Sequence, residues 1–121
     1  MHKLLFVDDN ELNREVLVGM IEMLFDNVII EVYEHANEVL ALNTDEYDLI
    51  LSDIDMPDIS GFELFTKLRD EKKYQNPVIA ITALAVSGDK EKILLHGFND
   101  YISKPIDMDE LESTIAKYLL K

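Results

Sequence analysis

Five short apolar runs, separated by longer amphipathic segments, constrain the fold of this chain more than any other feature. Runs such as LLFV at residues 4–7 and VIAI at 78–81 are apolar throughout, as expected for strands that are covered on both faces, whereas the pattern of the last run is weak. The segments between the runs have apolar residues at helical spacing, for example every fourth residue from Leu12 to Leu24. The pattern predicts strands at residues 3–7, 28–33, 48–53, 77–82 and 100–103.

Helix-start signals follow the predicted strands. Asn10 is placed to cap the first helix, a short second helix is predicted at residues 36–43, and a fourth at 87–96 is ended by Gly97. The third and fifth helices open on pairs with capping-box spacing, which are Ser60 with Glu63 and Asp107 with Glu110.

This alternation predicts a single (βα)5 domain over residues 1–121, with a parallel sheet and helices on both faces. For five strands we expect the flavodoxin-like order 2-1-3-4-5.

Charge and composition exclude several classes of function. The 25 acidic and 11 basic residues give a net charge of −14, which repels the phosphates of nucleic acids and anionic membranes. No apolar stretch approaches the ~20 residues of a membrane span. The chain has no cysteine, which excludes disulfides, thiolate metal sites and cysteine nucleophiles. The first apolar run is too short for a signal sequence, so we expect a cytoplasmic location. Because of the negative charge and the lack of a long apolar stretch, we expect neither direct nucleic-acid binding nor membrane insertion.

Polar residues that could bind a ligand or take part in a reaction lie where the predicted strands end. Asp8 and Asp9 follow the first strand, Asp53 and Thr82 end the third and fourth, and Lys104 follows the fifth. The carboxyl ends of parallel strands share one edge, and for this strand order ligands bind between strands 1 and 3. Taken singly, each residue has an ordinary explanation as a turn former, a strand residue or a surface lysine. Their joint position at one edge favours a binding pocket.

Three carboxylates in one pocket repel one another, so positive charge is needed there. Lys104 supplies one charge, and a hard divalent cation such as Mg2+, which prefers oxygen ligands, suits the remainder. An incomplete carboxylate site of this kind is suited to receive a phosphoryl group on a carboxylate. Thr82 and Lys104 are placed to hold two phosphoryl oxygens.

Four motifs carry a resemblance to a known family: Asp8-Asp9, D-I-D-M-P-D-I-S-G from Asp53 to Gly61, Thr82-Ala83 and Lys104-Pro105. Together and in this order, they resemble the receiver domain of two-component response regulators over the whole chain. The stretches D-D-N-E-L-N-R at residues 8–14 and G-F-N-D-Y-I-S-K-P-I-D at 97–107 are more similar to receivers attached to hybrid sensor kinases. We therefore expect a domain taken from, or related to, a hybrid kinase.

The resemblance implies that Asp53 accepts a phosphoryl group from a phosphohistidine on a histidine kinase or histidine phosphotransfer protein. It implies Mg2+, or Mn2+ in its place, held by Asp9, Asp53 and the main-chain carbonyl of Asp55, with Asp8 acting mainly through water. Lys104 would bind the phosphate, next to a Lys-Pro bond that is often cis in the family. Such a domain catalyses its own phosphorylation and dephosphorylation, and we expect no turnover of an external substrate.

The resemblance also implies a switch pair, Thr82 and Tyr101. Movement of Thr82 toward the phosphoryl group would let Tyr101 turn inward and change binding of a downstream protein at the fourth helix, fifth strand and fifth helix, residues 87–120. The alternative is that Tyr101 only packs in the core.

Two other functions use similar residues or the same fold. Asp53-Ile54-Asp55 matches the motif of the haloacid-dehalogenase-like phosphohydrolases, in which a second aspartate follows the nucleophile by two residues. However, their motif ends the first strand, and this chain has no cap segment. A flavodoxin-like FMN-binding module needs a neutral loop after the first strand, where this chain has Asp8-Asp9-Asn10. Turnover of a generic phosphomonoester would identify the first, and a yellow colour the second.

Overall fold

The computed structural model describes residues 1–83 and 89–119, which form alternating strands and helices. The strands are β1 (His2–Val7), β2 (Val28–Tyr33), β3 (Leu49–Asp53), β4 (Val78–Thr82) and β5 (Asp100–Ser103). The helices are α1 (Glu11–Leu24), α2 (Ala36–Leu40), α3 (Gly61–Asp70), α4 (Asp89–His96) and α5 (Met108–Leu119). The second helix was predicted at residues 36–43, but α2 ends at Leu40, and a separate 3-10 turn follows at Thr44–Glu46. The predicted start of the fourth helix at residue 87 lies outside the described residues.

The strands form one parallel sheet of order β2-β1-β3-β4-β5. This confirms the predicted order 2-1-3-4-5. Parallel neighbours require crossover connections, and the helices between the strands supply them. The central position of β3 brings the end of that strand next to the ends of β1 and β4.

Helices cover both faces of the sheet, as predicted. On one face α1 and α5 pack against alternate strand residues such as Phe6, Leu51 and Ile81. On the other face α2, α3 and α4 pack against the intervening residues, such as Leu5 and Ile50. Every residue of β3 and β4 is buried, which accounts for their continuous apolar sequence.

The apolar stripe of α1 predicted the helix but not its buried face. Leu17 and Ile21 are fully buried, whereas Leu12 and Val16 are exposed. Leu17 and Ile21 have the same four-residue spacing as the stripe, so periodicity alone fits either set. The packing of α1 against the sheet decides which set is inside.

The helix caps follow the predicted signals in part. Asn10 and Ser60 accept hydrogen bonds from the main chain three residues later, at 3.0 and 3.2 Å. The carboxylate of Asp107 does the same with the Glu110 N–H at 3.0 Å, but the Glu110 carboxylate accepts from Ser103 instead of returning to the cap. Gly97 follows α4 with a φ of 126°, in the left-handed region that favours glycine.

In the part of the chain that the structure describes, no helix has both the length and the apolar character needed to cross a membrane.

Candidate functional site

The ends of β1, β3, β4 and β5 enclose an open pocket of about 240 Å³. Its lining includes the predicted residues Asp8, Asp9, Asp53, Asp55, Thr82 and Lys104, together with Asn10, Asn13 and Ala83. Alternation along the strands explains part of this convergence. Asp8, Asp53 and Lys104 each stand two positions beyond a residue buried on the α1–α5 face, so their side chains leave the sheet on the same side.

The three acids lie close enough to bind one ion. Asp8, Asp9 and Asp53 each offer a carboxylate oxygen, and these oxygens all lie within 4.8 Å of one another. Asp8 is 0% exposed and Asp53 is 5% exposed. Oxygen donors at this spacing fit a hard divalent cation. The coarse prediction of a carboxylate metal site therefore agrees with the geometry.

Lys104 is the cation that joins two of these acids. Its Nζ lies 2.9 Å from Oδ2 of Asp8 and 3.2 Å from Oδ1 of Asp53. One ammonium against three carboxylates leaves the group with an excess of negative charge. The bond between Lys104 and Pro105 is cis, as the resemblance implied.

Burial and charge shift the titration of this pair. Burial raises the pKa of Asp53 above its ordinary value, the charge of Asp8 raises it further, and Lys104 opposes both. For Lys104, burial lowers the pKa, but the hydrogen bond to Asp8 and the charges of Asp53 and Asp8 outweigh it, so the pKa is raised. Additional positive charge in the pocket would favour the ionised form of Asp53.

Three donors to Asp8 were not predicted from the sequence. The Asn10 N–H donates to Oδ1 at 2.9 Å, the Asn13 amide to Oδ2 at 3.2 Å, and the Arg14 guanidinium to the Asp8 carbonyl oxygen at 2.8 Å. Asn10 precedes α1 and the other two lie in its first turn. The available signal was a polar first turn directly after the acidic pair.

Gly61 fixes the position of the loop after Asp53, and the sequence did not predict it as a site residue. The Gly61 N–H donates to the Ile54 carbonyl at 2.8 Å. A Cβ at position 61 would lie 2.4 Å from the carbonyl oxygen of Asp53 and 2.7 Å from Cα of Ile54. Only glycine allows this close approach of two main-chain segments, which places Asp55 at the rim of the pocket.

The predicted switch residues lie on neighbouring strands. Thr82 is buried and lines the pocket, and its carbonyl accepts from the Lys104 N–H at 3.0 Å. Tyr101 pairs with Ala80, two residues before Thr82, so Thr82 and Tyr101 point to the same face of the sheet. Tyr101 lies outside the pocket lining, half-buried against the core on the α2–α4 face, with Nζ of Lys90 5.3 Å from its ring centre.

Comparison with known proteins identifies the family. The sequence model of the response regulator receiver domain matches residues 4–116, and the chain belongs to this family. It is 39% identical over 117 residues to the polar-differentiation response regulator DivK of Brucella ovis, covering 95% of this chain and 94% of DivK.

Solved structures agree with this assignment. The receiver domain of the sensor histidine kinase PA1611 from Pseudomonas aeruginosa, solved with a magnesium ion in its active-site cleft, has a TM-score of 0.85 and 29% identity, with 99% of this chain and 98% of that chain covered. The receiver domain of Saccharomyces cerevisiae Ssk1, solved with the histidine phosphotransfer protein Ypd1, has a TM-score of 0.84 and 26% identity, with 97% and 88% covered.

The family assignment and the fold separate the chain from the two alternative functions. Asp53 ends β3, the central strand, whereas the phosphohydrolase motif ends the first strand. Asp8 and Asp9 occupy the loop where an FMN module needs neutral phosphate-binding groups.

Proposed function

We propose that residues 1–121 act as a phosphoacceptor switch in a cytoplasmic two-component phosphorelay, with Asp53 as the acceptor. The observation that carries this proposal is the position of the Asp53 carboxylate. It ends the central strand, contacts Lys104 at 3.2 Å, and lies within 4.8 Å of oxygens from both Asp8 and Asp9. A nucleophilic carboxylate is thus placed between an ammonium and a group of potential metal ligands.

The reaction assigned to this site is phosphoryl transfer from a histidine. An oxygen of the Asp53 carboxylate forms a bond to phosphorus while the phosphorus–nitrogen bond breaks, and the electron pair returns to the imidazole nitrogen, which takes up a proton. Lys104 and the hydroxyl of Thr82 donate hydrogen bonds to two of the phosphoryl oxygens and so stabilise their negative charge. The product is an acyl phosphate on Asp53, and its hydrolysis returns the free carboxylate.

Asp9, Asp53 and the main-chain carbonyl of Asp55 are the groups proposed to hold Mg2+, or Mn2+ in its place. Bound there, the ion supplies positive charge that offsets the carboxylates and the incoming phosphate. We assign Asp8 a contact through water, because its carboxylate oxygens already accept hydrogen bonds from Asn10, Asn13 and Lys104.

A histidine kinase or a histidine phosphotransfer protein is the proposed donor, by similarity to the Ssk1 receiver solved with Ypd1. The proposed output surface is the face of α4, β5 and α5. Leu94 is exposed on α4, and Leu95 is 86% exposed, so this face offers apolar contact area to a protein partner.

Mg2+ should both stabilise the fold and permit phosphorylation of Asp53. The ion offsets a carboxylate repulsion that exists only in the folded chain, so it should raise the melting temperature. Asp9→Ala should remove most of this gain, and Asp8→Ala a smaller part.

The function itself is tested by incubation with acetyl phosphate or a phosphohistidine donor, followed by intact-protein mass measurement. We expect gain of one phosphoryl group with Mg2+ and none with EDTA.

Asp26→Ala provides the control for the metal experiment, because Asp26 is exposed after α1 and lies outside the pocket. It should respond to Mg2+ as the parent does. If Asp9→Ala binds Mg2+ as tightly as the parent, the ligand set is wrong. If the parent takes up no phosphoryl group from either donor, the proposed function is wrong.

Thr82→Ala should disconnect the pocket from the output face. In the parent, beryllofluoride, a phosphoryl mimic, should shift NMR signals from Asp53 through Thr82 into α4 and Tyr101, since the mimic biases a two-state packing arrangement. Couplings of this type are worth about 1–3 kcal/mol, which corresponds to a change in partner affinity of about 5- to 150-fold. Thr82→Ala should keep the shifts around Asp53 and lose the distal ones.

Thr44→Ala is the matched control for the switch experiment. Thr44 is also buried, but it precedes β3, at the opposite edge of the sheet from the pocket. This variant should retain the full pattern of shifts. Shifts confined to the pocket loops of the parent would instead support the alternative in which Tyr101 only packs.

A further inference from the structure

Asp8 is the most completely bonded acid of the pocket among the described residues. Its Oδ1 accepts from the Asn10 N–H, and its Oδ2 accepts from both Lys104 at 2.9 Å and the Asn13 amide at 3.2 Å. The residue is 0% exposed, so these donors replace the water that burial removes. The position of the Asp8 carboxylate is therefore set by its protein partners.

The two side chains that donate to Oδ2 of Asp8 differ in the other groups that they contact. Lys104 also contacts Asp53, and in the proposed reaction it is drawn to a phosphoryl oxygen. Asn13 is neutral, and its side-chain amide donates to Asp8 alone within the structure described. When Lys104 turns to the phosphoryl group, Asn13 is the side chain that remains on this oxygen of Asp8.

The start of α1 fixes the Asn13 amide in place. The Asn13 N–H donates to the capping side chain of Asn10 at 3.0 Å, so the main chain at this position is held by the cap. From there the side chain reaches back to Asp8 and lines the pocket. The cap itself uses only the main chain of Asn13, so capping does not require an amide side chain at this position.

We infer that Asn13 is a positioning residue of the metal centre, whose amide, together with Lys104, keeps the Asp8 carboxylate oriented toward the pocket and remains on it when Lys104 moves to the phosphoryl group. This inference rests on the proposed function for the metal and for Lys104. Partners that orient the groups around a metal typically contribute about 10- to 100-fold in metal affinity or activity. Because Asp8 is proposed to act through water, we expect an effect of about tenfold, at the lower end of that range.

Asn13→Leu tests the inference, because leucine is similar in size and has no donor. The Mg2+ dissociation constant, measured by NMR titration of main-chain amides, should rise by about tenfold. Asn13→Gln, which keeps an amide, should lie closer to the parent. Asn37→Leu makes the same chemical change at an exposed position in the first turn of α2, and it should leave Mg2+ binding unchanged.

A double-mutant cycle with Asp8→Ala distinguishes positioning of Asp8 from a general structural effect. Once Asp8 is removed, Asn13→Leu should change the Mg2+ affinity by less than about twofold. Without metal, the loss of melting temperature caused by Asn13→Leu should likewise shrink in the Asp8→Ala background.

Two outcomes would overturn the inference alone: parent-like Mg2+ affinity in Asn13→Leu, or an equal loss of affinity with and without Asp8. A parent protein that does not respond to Mg2+ at all would instead overturn the proposed metal site, and the inference with it.

Discussion

Replacing Asp53 by asparagine should abolish phosphoryl uptake from acetyl phosphate and from a phosphohistidine donor. The amide of asparagine is a poor nucleophile, and the replacement also removes one of the proposed metal ligands. Asp53 is the acid that ends the central strand with Lys104 at 3.2 Å, so no other acid of the pocket has the same surroundings. We expect labelling, measured by intact mass or with radioactive phosphate, to fall to background.

Asp58→Asn is the control for this experiment. Asp58 is exposed in the loop after β3 and does not line the pocket, so this variant should be labelled as the parent is. Stoichiometric labelling of Asp53→Asn at another residue would show that the acceptor is misassigned.

The stability of Asp53→Asn provides a check that the fold is intact. The folded-state pKa of Asp53 is raised, so the parent binds the Asp53 proton more tightly when folded. The stability of the parent therefore falls as the pH rises through that pKa, and asparagine removes this loss. In the absence of metal, Asp53→Asn should melt above the parent at neutral pH, and the difference should shrink as the pH is lowered.

Much of the fold and pocket follows from local sequence patterns. The continuous apolar runs of β3 and β4 reflect burial on both faces, and the residues that end each strand are thereby located. Parallel topology then brings Asp8, Asp53 and Lys104 together without any further information. Strand alternation also explains why these three side chains leave the sheet on one side.

Features that depend on three-dimensional packing could not be predicted in the same way. The buried face of α1 depends on how the helix lies on the sheet, and the spacing of its apolar residues fits more than one choice. The requirement for glycine at position 61 comes from the carbonyl of Asp53, which is eight residues away along the chain. The bond from Asn13 to Asp8 depends on a side-chain direction at the start of α1 that residue type does not specify.

Lys104→Met should destabilise the protein strongly when no divalent cation is present. Nζ of Lys104 is the cation shared by the buried carboxylates of Asp8 and Asp53, while its own side chain is 19% exposed. Removing one member of a buried ion pair leaves a charge uncompensated and typically costs about 3–5 kcal/mol. Because Lys104 retains some contact with water, we expect a loss near the lower end, about 3 kcal/mol in the free energy of unfolding.

Lys67→Met makes the same change in a surface ion pair and provides the comparison. Nζ of Lys67 lies 3.3 Å from Glu71 one helical turn away, in contact with solvent. Pairs of this kind contribute about 0.3–0.5 kcal/mol, so chemical denaturation should easily separate the two variants. Equal losses in Lys104→Met and Lys67→Met would mean that Lys104 is not the charge that stabilises the pocket.

The dependence of the Lys104→Met loss on pH and Mg2+ identifies its electrostatic origin. Lys104 lowers the pKa of Asp53, so its removal raises the folded-state pKa of that carboxyl further above the unfolded value. The added destabilisation is fully present above the folded-state pKa of Asp53 in the variant. It disappears as the pH falls below the folded-state pKa of Asp53 in the parent, because a protonated carboxyl needs no cation. Saturating Mg2+ should recover part of the loss at neutral pH by supplying positive charge to the same acids. A loss that is independent of both pH and Mg2+ would instead reflect the packing of the lysine side chain.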